Sequence, residues 1–137
     1  MRLSEKEFTN LVKSRKVAPE SPKGIRGRGR TTKRILGQMN GTEAAYAVHL
    51  DTRKAAREIL DYWFEAMTFK LADGCRYTPD FVVQMADGII EVHEVKGHWE
   101  DDALVKIKVA AEMFPFRFLA VQKIAQKAGG GWAIREF

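Results

Sequence analysis

One cysteine, Cys75, stands in 137 residues, so an internal disulfide is excluded and a cysteine metal cluster has no second ligand. A reducing, cytoplasmic setting is the simplest expectation for such a chain. No apolar run approaches the roughly 20 residues that a membrane-spanning helix needs, so no membrane association is expected. The first residues, Met1-Arg2-Leu3-Ser4-Glu5, are too polar for a secretory signal. There is no internal repeat, and no separate recognition module is visible. What is present suffices for one packed domain and a tail: 45% of the residues are hydrophobic.

The net charge of +5 is unevenly placed. Residues 13–34 hold nine Lys or Arg against one Glu, a local charge of +8, which leaves −3 for the rest. A basic segment of this kind suits an arm that follows a phosphate backbone. Arg26, Arg28, Arg30, Lys33 and Arg34 are its candidate nucleic-acid contacts, the first three alternating with glycine. A solvated linker without a partner is the plainer alternative. The chain thus divides into a short N-terminal helix (1–13), a basic flexible arm (14–41) and a folded domain (42–137). Ser4 with Glu7 fits a capping box for the first helix, and Phe8, Leu11 and Val12 form its apolar stripe.

Within the domain, Asn40 or Thr42 should cap a helix reaching Arg57, with Tyr46, Ala47, Leu50 and Lys54 on one face. Glu43 shares that face. An acid in the inward stripe is either a site residue or a residue favouring the helix N-terminus through the dipole. Residues 59–71 read as mostly extended, then Asp73-Gly74 as a turn. Residues 77–85 and 89–96 read as paired antiparallel strands around Asp87-Gly88. Glu100, Asp101 and Asp102 crowd the start of a helix whose apolar face is Leu104, Ile107, Ala111 and Phe114. A buried strand over 116–122 and an edge strand over 132–137 complete the domain.

The hairpin carries the chemistry. Asp80 stands near the start of one strand, and Glu94 and Lys96 lie two apart on the next. Two carboxylates bind a hard divalent cation, and a neighbouring ammonium can stabilise charge on a phosphate. Side chains alternate faces along a strand, so the connection decides whether such a site exists. A two-residue loop, Asp87-Gly88, would place Asp80 opposite Val95 and send the two acids to different faces. A three-residue loop, Ala86-Asp87-Gly88, places Met85 opposite Ile89 and Asp80 opposite Glu94. Gly88 suits the left-handed position of that loop. Asp80, Glu94 and Lys96 then share a face with Val82, Ile90 and Val92. The competing reading is that Glu94 and Lys96 decorate an exposed sheet face.

Thr42-Glu43-Ala44-Ala45-Tyr46, Tyr77-Thr78-Pro79-Asp80-Phe81 and Glu91-Val92-His93-Glu94-Val95-Lys96-Gly97, in this order, resemble the PD-(D/E)XK nuclease superfamily. The resemblance is closest to small phage and prophage endonucleases, and more distant to transposon-end nuclease subunits and phage junction resolvases. It covers residues 42–122. It implies an α/β fold with a restriction-endonuclease-like core, a mixed central sheet flanked by helices in the order αβββαβ. It further implies Mg²⁺ or Mn²⁺ held by Asp80, Glu94, the carbonyl of Val95 and Glu43. Lys96 would polarise the attacking water, and cleavage would leave a 5′-phosphate.

The expected activity is therefore endonucleolytic cleavage of duplex or branched DNA, structure-selective or weakly sequence-specific, in the bacterial host cytoplasm if phage-encoded. A homodimer would serve two-strand cutting. The alternative from another class is a non-catalytic nucleic-acid-binding subunit of a phage recombination or packaging complex. Trp99 is a candidate for stacking on a base or for capping the core. His93 and Glu91 face away from the site; His93 reads as a packed or exposed polar residue and Glu91 as a surface residue, and His49 reads as structural. Lys106 and Lys108 read as a solvated helix face.

Overall fold

The computed structural model describes residues 37–99 and 101–137, with the side chains of 101–103 outside that description. The helix expected over 1–13 and the arm contacts Arg26, Arg28, Arg30, Lys33 and Arg34 lie outside the described residues. So does Glu100. The described residues fall in one compact unit, Gly37–Phe137.

Helix α1 (Gly41–Ala55) begins at Asn40, whose side chain accepts the Glu43 amide at 2.9 Å while Glu43 Oε2 accepts the Asn40 amide at 2.9 Å. This reciprocal capping box satisfies two amides that the first turn would otherwise leave unpaired. Glu43, Tyr46, Ala47 and Leu50 are its buried stripe. Lys54, expected on the same face, turns outward and pairs with Asp61 at 3.1 Å. The helix stops before the expected Arg57 because Arg57 is left-handed at φ +60°. Arg57 and Glu58 donate to the carbonyls of Lys54 and Arg53, which closes the end as a Schellman motif.

Five strands form a mixed sheet in the order β1-β4-β5-β6-β7. They are β1 (Ile59–Phe64), β4 (Phe81–Met85), β5 (Ile90–Lys96), β6 (Arg117–Lys123) and β7 (Trp132–Glu136). Only the β5–β6 pair is parallel, and the connection between them carries helix α2 (Asp101–Met113). Strands β2 (Phe69–Ala72) and β3 (Cys75–Tyr77) form a separate two-stranded sheet. The fold is therefore α/β. No helix among the described residues is long and apolar enough to cross a membrane.

The excursion into β2 and β3 corrects two expectations. The extended run over 59–71 breaks after Phe64, where Glu65 takes φ +47°. The strand expected over 77–85 breaks at Thr78-Pro79-Asp80, because Pro79 has no amide to give to a ladder. The two breaks meet: the Glu65 amide donates to the Asp80 carbonyl at 2.8 Å, and the Thr68 and Thr78 hydroxyls lie 2.8 Å apart. The short hairpin so released leaves the main sheet and packs on α2, with Phe69 against Phe114, Phe116 and Phe118.

Odd-numbered positions Phe81, Val83, Val95 and Val121 face α1 and bury with Tyr46, Leu50 and Ile59. Even-numbered positions on the same strands face α2 and the β2–β3 hairpin. Val82, Val92, Phe118 and Ala120 are the buried apolar residues there. Both faces of β5 are thus covered, and five of its seven residues are buried.

The β4–β5 register is the one the three-residue loop requires. Gln84 pairs with Ile90 and Phe81 with His93. Met85 receives the Gly88 amide and donates to Ile89, and Gly88 sits at φ +88°. Asp80 stands one residue outside this ladder, before Phe81, and reaches β5 through its side chain, which accepts the Val95 amide.

Candidate metal centre

Asp80 is fully buried, and one of its carboxylate oxygens accepts the Val95 amide at 2.8 Å. The chain has just left β3, so Asp80 caps the gap between two sheets rather than lying within a strand. Glu94 is 7% exposed and engaged on both oxygens. Tyr77, at the end of β3, donates its hydroxyl to Oε2 at 2.9 Å, and Lys96 Nζ lies 3.1 Å from Oε1. Lys96 stays partly open to solvent, its side chain 29% exposed. Glu43 is buried, with Oε2 in the capping box. The first turn of α1 runs beside the end of β5: a Cβ on Gly97 would lie 3.8 Å from Thr42 Oγ1.

The electrostatics follow from packing acids together. Burial, then the charge of Glu94, pushes the Asp80 carboxyl up to about 7, with Glu43 adding to the rise. The Val95 amide and Lys96 oppose it. A cation placed between the two acids would oppose this rise by offsetting the neighbouring charge. Burial and Glu94 raise Tyr77 far above the usual phenol range, so it remains a hydrogen-bond donor.

Asp80 and Glu94 are oxygen donors of the hard type that Mg²⁺ prefers, and their mutual repulsion is the condition a divalent cation relieves. Among the described residues, no three His, Cys, Asp or Glu side chains gather into a ready-made cage.

Behind β5 lies a second polar network that sequence reasoning placed differently. Glu91, expected at the surface, is instead buried at 4% exposure because Arg117 and His93 pair with its carboxylate, and His93 is fully buried. Tyr46 Oη and His93 Nδ1 are 2.7 Å apart, and His93 Nε2 and Glu91 Oε2 2.9 Å. Arg117 donates to Glu91 at 2.8 Å and forks onto Glu136 with two bonds of 2.9 Å. The odd-numbered acid is thus paired across three strands, and the network anchors β5 from the side away from Asp80. The hint in the sequence was Tyr46 on the inward stripe, a phenol that needs a partner when buried.

Trp99 is half-buried and walls a cavity of about 190 Å³ with Leu104, Ala120, Gln122, Ala133, Ile134 and Arg135. Lys106 does not reach toward the acids; its ammonium donates to the Arg76 carbonyl at 3.0 Å, tying α2 to β3. Lys108 is exposed. The His49 ring packs 5.6 Å from Tyr46 and 6.2 Å from Trp132. Comparison with protein-family models, curated proteins and solved structures returns no significant match for this chain.

Proposed function

We propose that this domain is a metal-dependent endonuclease that hydrolyses DNA phosphodiester bonds, on a restriction-endonuclease-like core of the PD-(D/E)XK type. The observation that carries the reading is that buried Asp80 is bonded to the amide of Val95, the residue between Glu94 and Lys96, with Lys96 3.1 Å from Glu94. Along the main sheet the order is α1, β1, β4, β5, α2, β6, which matches αβββαβ once the β2–β3 hairpin and β7 are treated as additions.

In this reading Asp80, Glu94 and the Val95 carbonyl hold Mg²⁺ or Mn²⁺, and Glu43 supports the shell from the start of α1. A divalent ion held there would supply Lewis acidity toward the phosphate. Lys96, partly open to solvent, holds the attacking water and stabilises charge on the phosphate. Tyr77 fixes the Glu94 carboxylate, and the Val95 amide fixes that of Asp80, so neither acid must be ordered when substrate arrives. Substrate selection is structural or weakly sequence-specific, in phage DNA recombination, repair or processing, and a homodimer would cut both strands.

The test is incubation with supercoiled, linear and branched DNA in Mg²⁺ or in chelator. Cleavage is expected in Mg²⁺ alone. Asp80→Asn and Lys96→Ala are expected to reduce it by about 100-fold or more, with circular dichroism unchanged and Mg²⁺ binding lost in Asp80→Asn. Cutting that survives chelator, or that both variants retain, would falsify the mechanism. Binding without cutting assigns the domain to the non-catalytic alternative.

A further inference from the structure

The face that carries Asp80 and Glu94 continues across two more strands. Glu94 pairs with Ala120, and Ala120 with Arg135; Lys96 pairs with Gln122, and Gln122 with Ala133. Directly paired residues share a face, so Glu94, Ala120 and Arg135 form one row, and Lys96, Gln122 and Ala133 the next. Strands are spaced about 4.8 Å apart, which sets Arg135 two strands, roughly 10 Å, from Glu94. The two alanines leave the floor low. Trp99 and Leu104 stand over it, and the space between them is the 190 Å³ cavity. Its lining is mostly apolar, with Gln122 and the exposed Arg135 as its polar members.

We propose that this cavity takes one unstacked nucleobase from a strand of nucleic acid whose neighbouring phosphate lies at Lys96. Trp99 is the stacking wall, as aromatic side chains are for single-stranded substrates. Gln122 offers a donor and an acceptor to the base edge. Arg135 takes the next phosphate along, a charge match for a polyanion running from the acids toward β7. A base that stacks on Trp99 in this cavity has left its own stack and its pairing partner. The cavity therefore selects single-stranded or splayed segments, such as flaps and junction arms, over uninterrupted duplex. The direction of the strand rests on the nuclease reading; the base site does not.

The experiment uses the full chain with a fluorescent single-stranded oligonucleotide and the same sequence as a blunt duplex. Binding is measured in chelator and cleavage in Mg²⁺. The basic arm is present in every variant, so its contribution cancels in the ratios. Single strand is expected to bind and cleave better than duplex. Trp99→Ala and Arg135→Ala are expected to weaken single-strand binding by about ten-fold or more and to reduce the preference over duplex. Arg135 lies at the exposed rim, so its variant reports on binding even where Trp99→Ala lowers stability. Equal binding of the two forms by the native protein, or unchanged binding in Arg135→Ala and a folded Trp99→Ala, overturns the proposal. Loss of single-strand binding in the variants of a protein that cuts nothing keeps the base site and removes the nuclease reading. Mg²⁺-dependent cleavage untouched by both variants does the reverse.

Discussion

At the scale of single residues, β5 separates two duties by parity. Glu94 and Lys96 face the hairpin layer, while His93 and Glu91 face α1 or its margin. The hydrogen bond from His93, aided by the charge of Arg117, holds the Glu91 carboxyl below the usual carboxylate range despite its burial. A depressed folded-state value means the native protein binds fewer protons than the unfolded chain. Its stabilisation is present above the ordinary Glu value and is lost as pH falls through the folded one. Glu91→Gln removes the charge that both His93 and Arg117 use. It is expected to cost on the order of 2 kcal/mol at pH 7 and to flatten the acid limb of stability below about pH 4.5. Urea denaturation from pH 3 to 7 measures both; a variant with the native pH profile would remove Glu91 from the account. Burial of this acid was not legible in the sequence, since Glu91 alternates with core residues as a solvated position would. What buries it is Arg117, 26 residues on, whose pairing depends on the parallel crossover.

At the scale of elements, the hairpin was the most legible part of the chain. For Asp80 and Glu94 to share a face, parity required an odd loop or a compensating bulge; Gly88 offered the left-handed residue, and the observed pairs Gln84–Ile90 and Phe81–His93 are those of the three-residue loop. A Cβ at Gly88 would meet nothing within 4 Å, so a substitution there costs only backbone conformation. Gly88→Ala is expected to destabilise by about 1 kcal/mol, and Gly88→Asn by less, because Asn tolerates this region. Thermal unfolding of the two variants checks the order, and an Ala variant as stable as the native chain would count against the strained turn. Less legible were the breaks at Glu65 and Pro79. Tyr77 and Phe81 look like one strand in hydrophobic pattern, and only Pro79 marks the point where the chain changes sheets. That change is what brings the Tyr77 hydroxyl to Glu94. The capping role of Glu43 was readable from Asn40 three residues before it. Its proximity to Asp80 was not, since helix and hairpin meet only through tertiary packing.

At the scale of the whole molecule, charge is segregated by segment. Residues 13–34 carry +8 and the rest −3, so the part that hosts the acids does not by itself attract a polyanion. Deleting residues 14–36 is expected to weaken DNA binding and to flatten its salt dependence, each lost phosphate contact lowering the slope by about 0.9. Cleavage of a short oligonucleotide at saturating concentration is expected to persist. Titrations at several salt concentrations test this; an unchanged slope would take the arm out of DNA binding. Composition made the arm visible, but no periodicity pointed to Arg135, which shares a row with Glu94 only through the order of strands.

The alternation along β5 has a practical corollary. The side chains that would do chemistry and those that secure the strand are sorted onto opposite surfaces of the same seven residues. An isosteric change such as Glu94→Gln silences one surface and leaves the anchors of the other in place. The blunted protein is then expected to stay folded and to retain what it can no longer cut, a lure for recovering its native target intact from a cell extract.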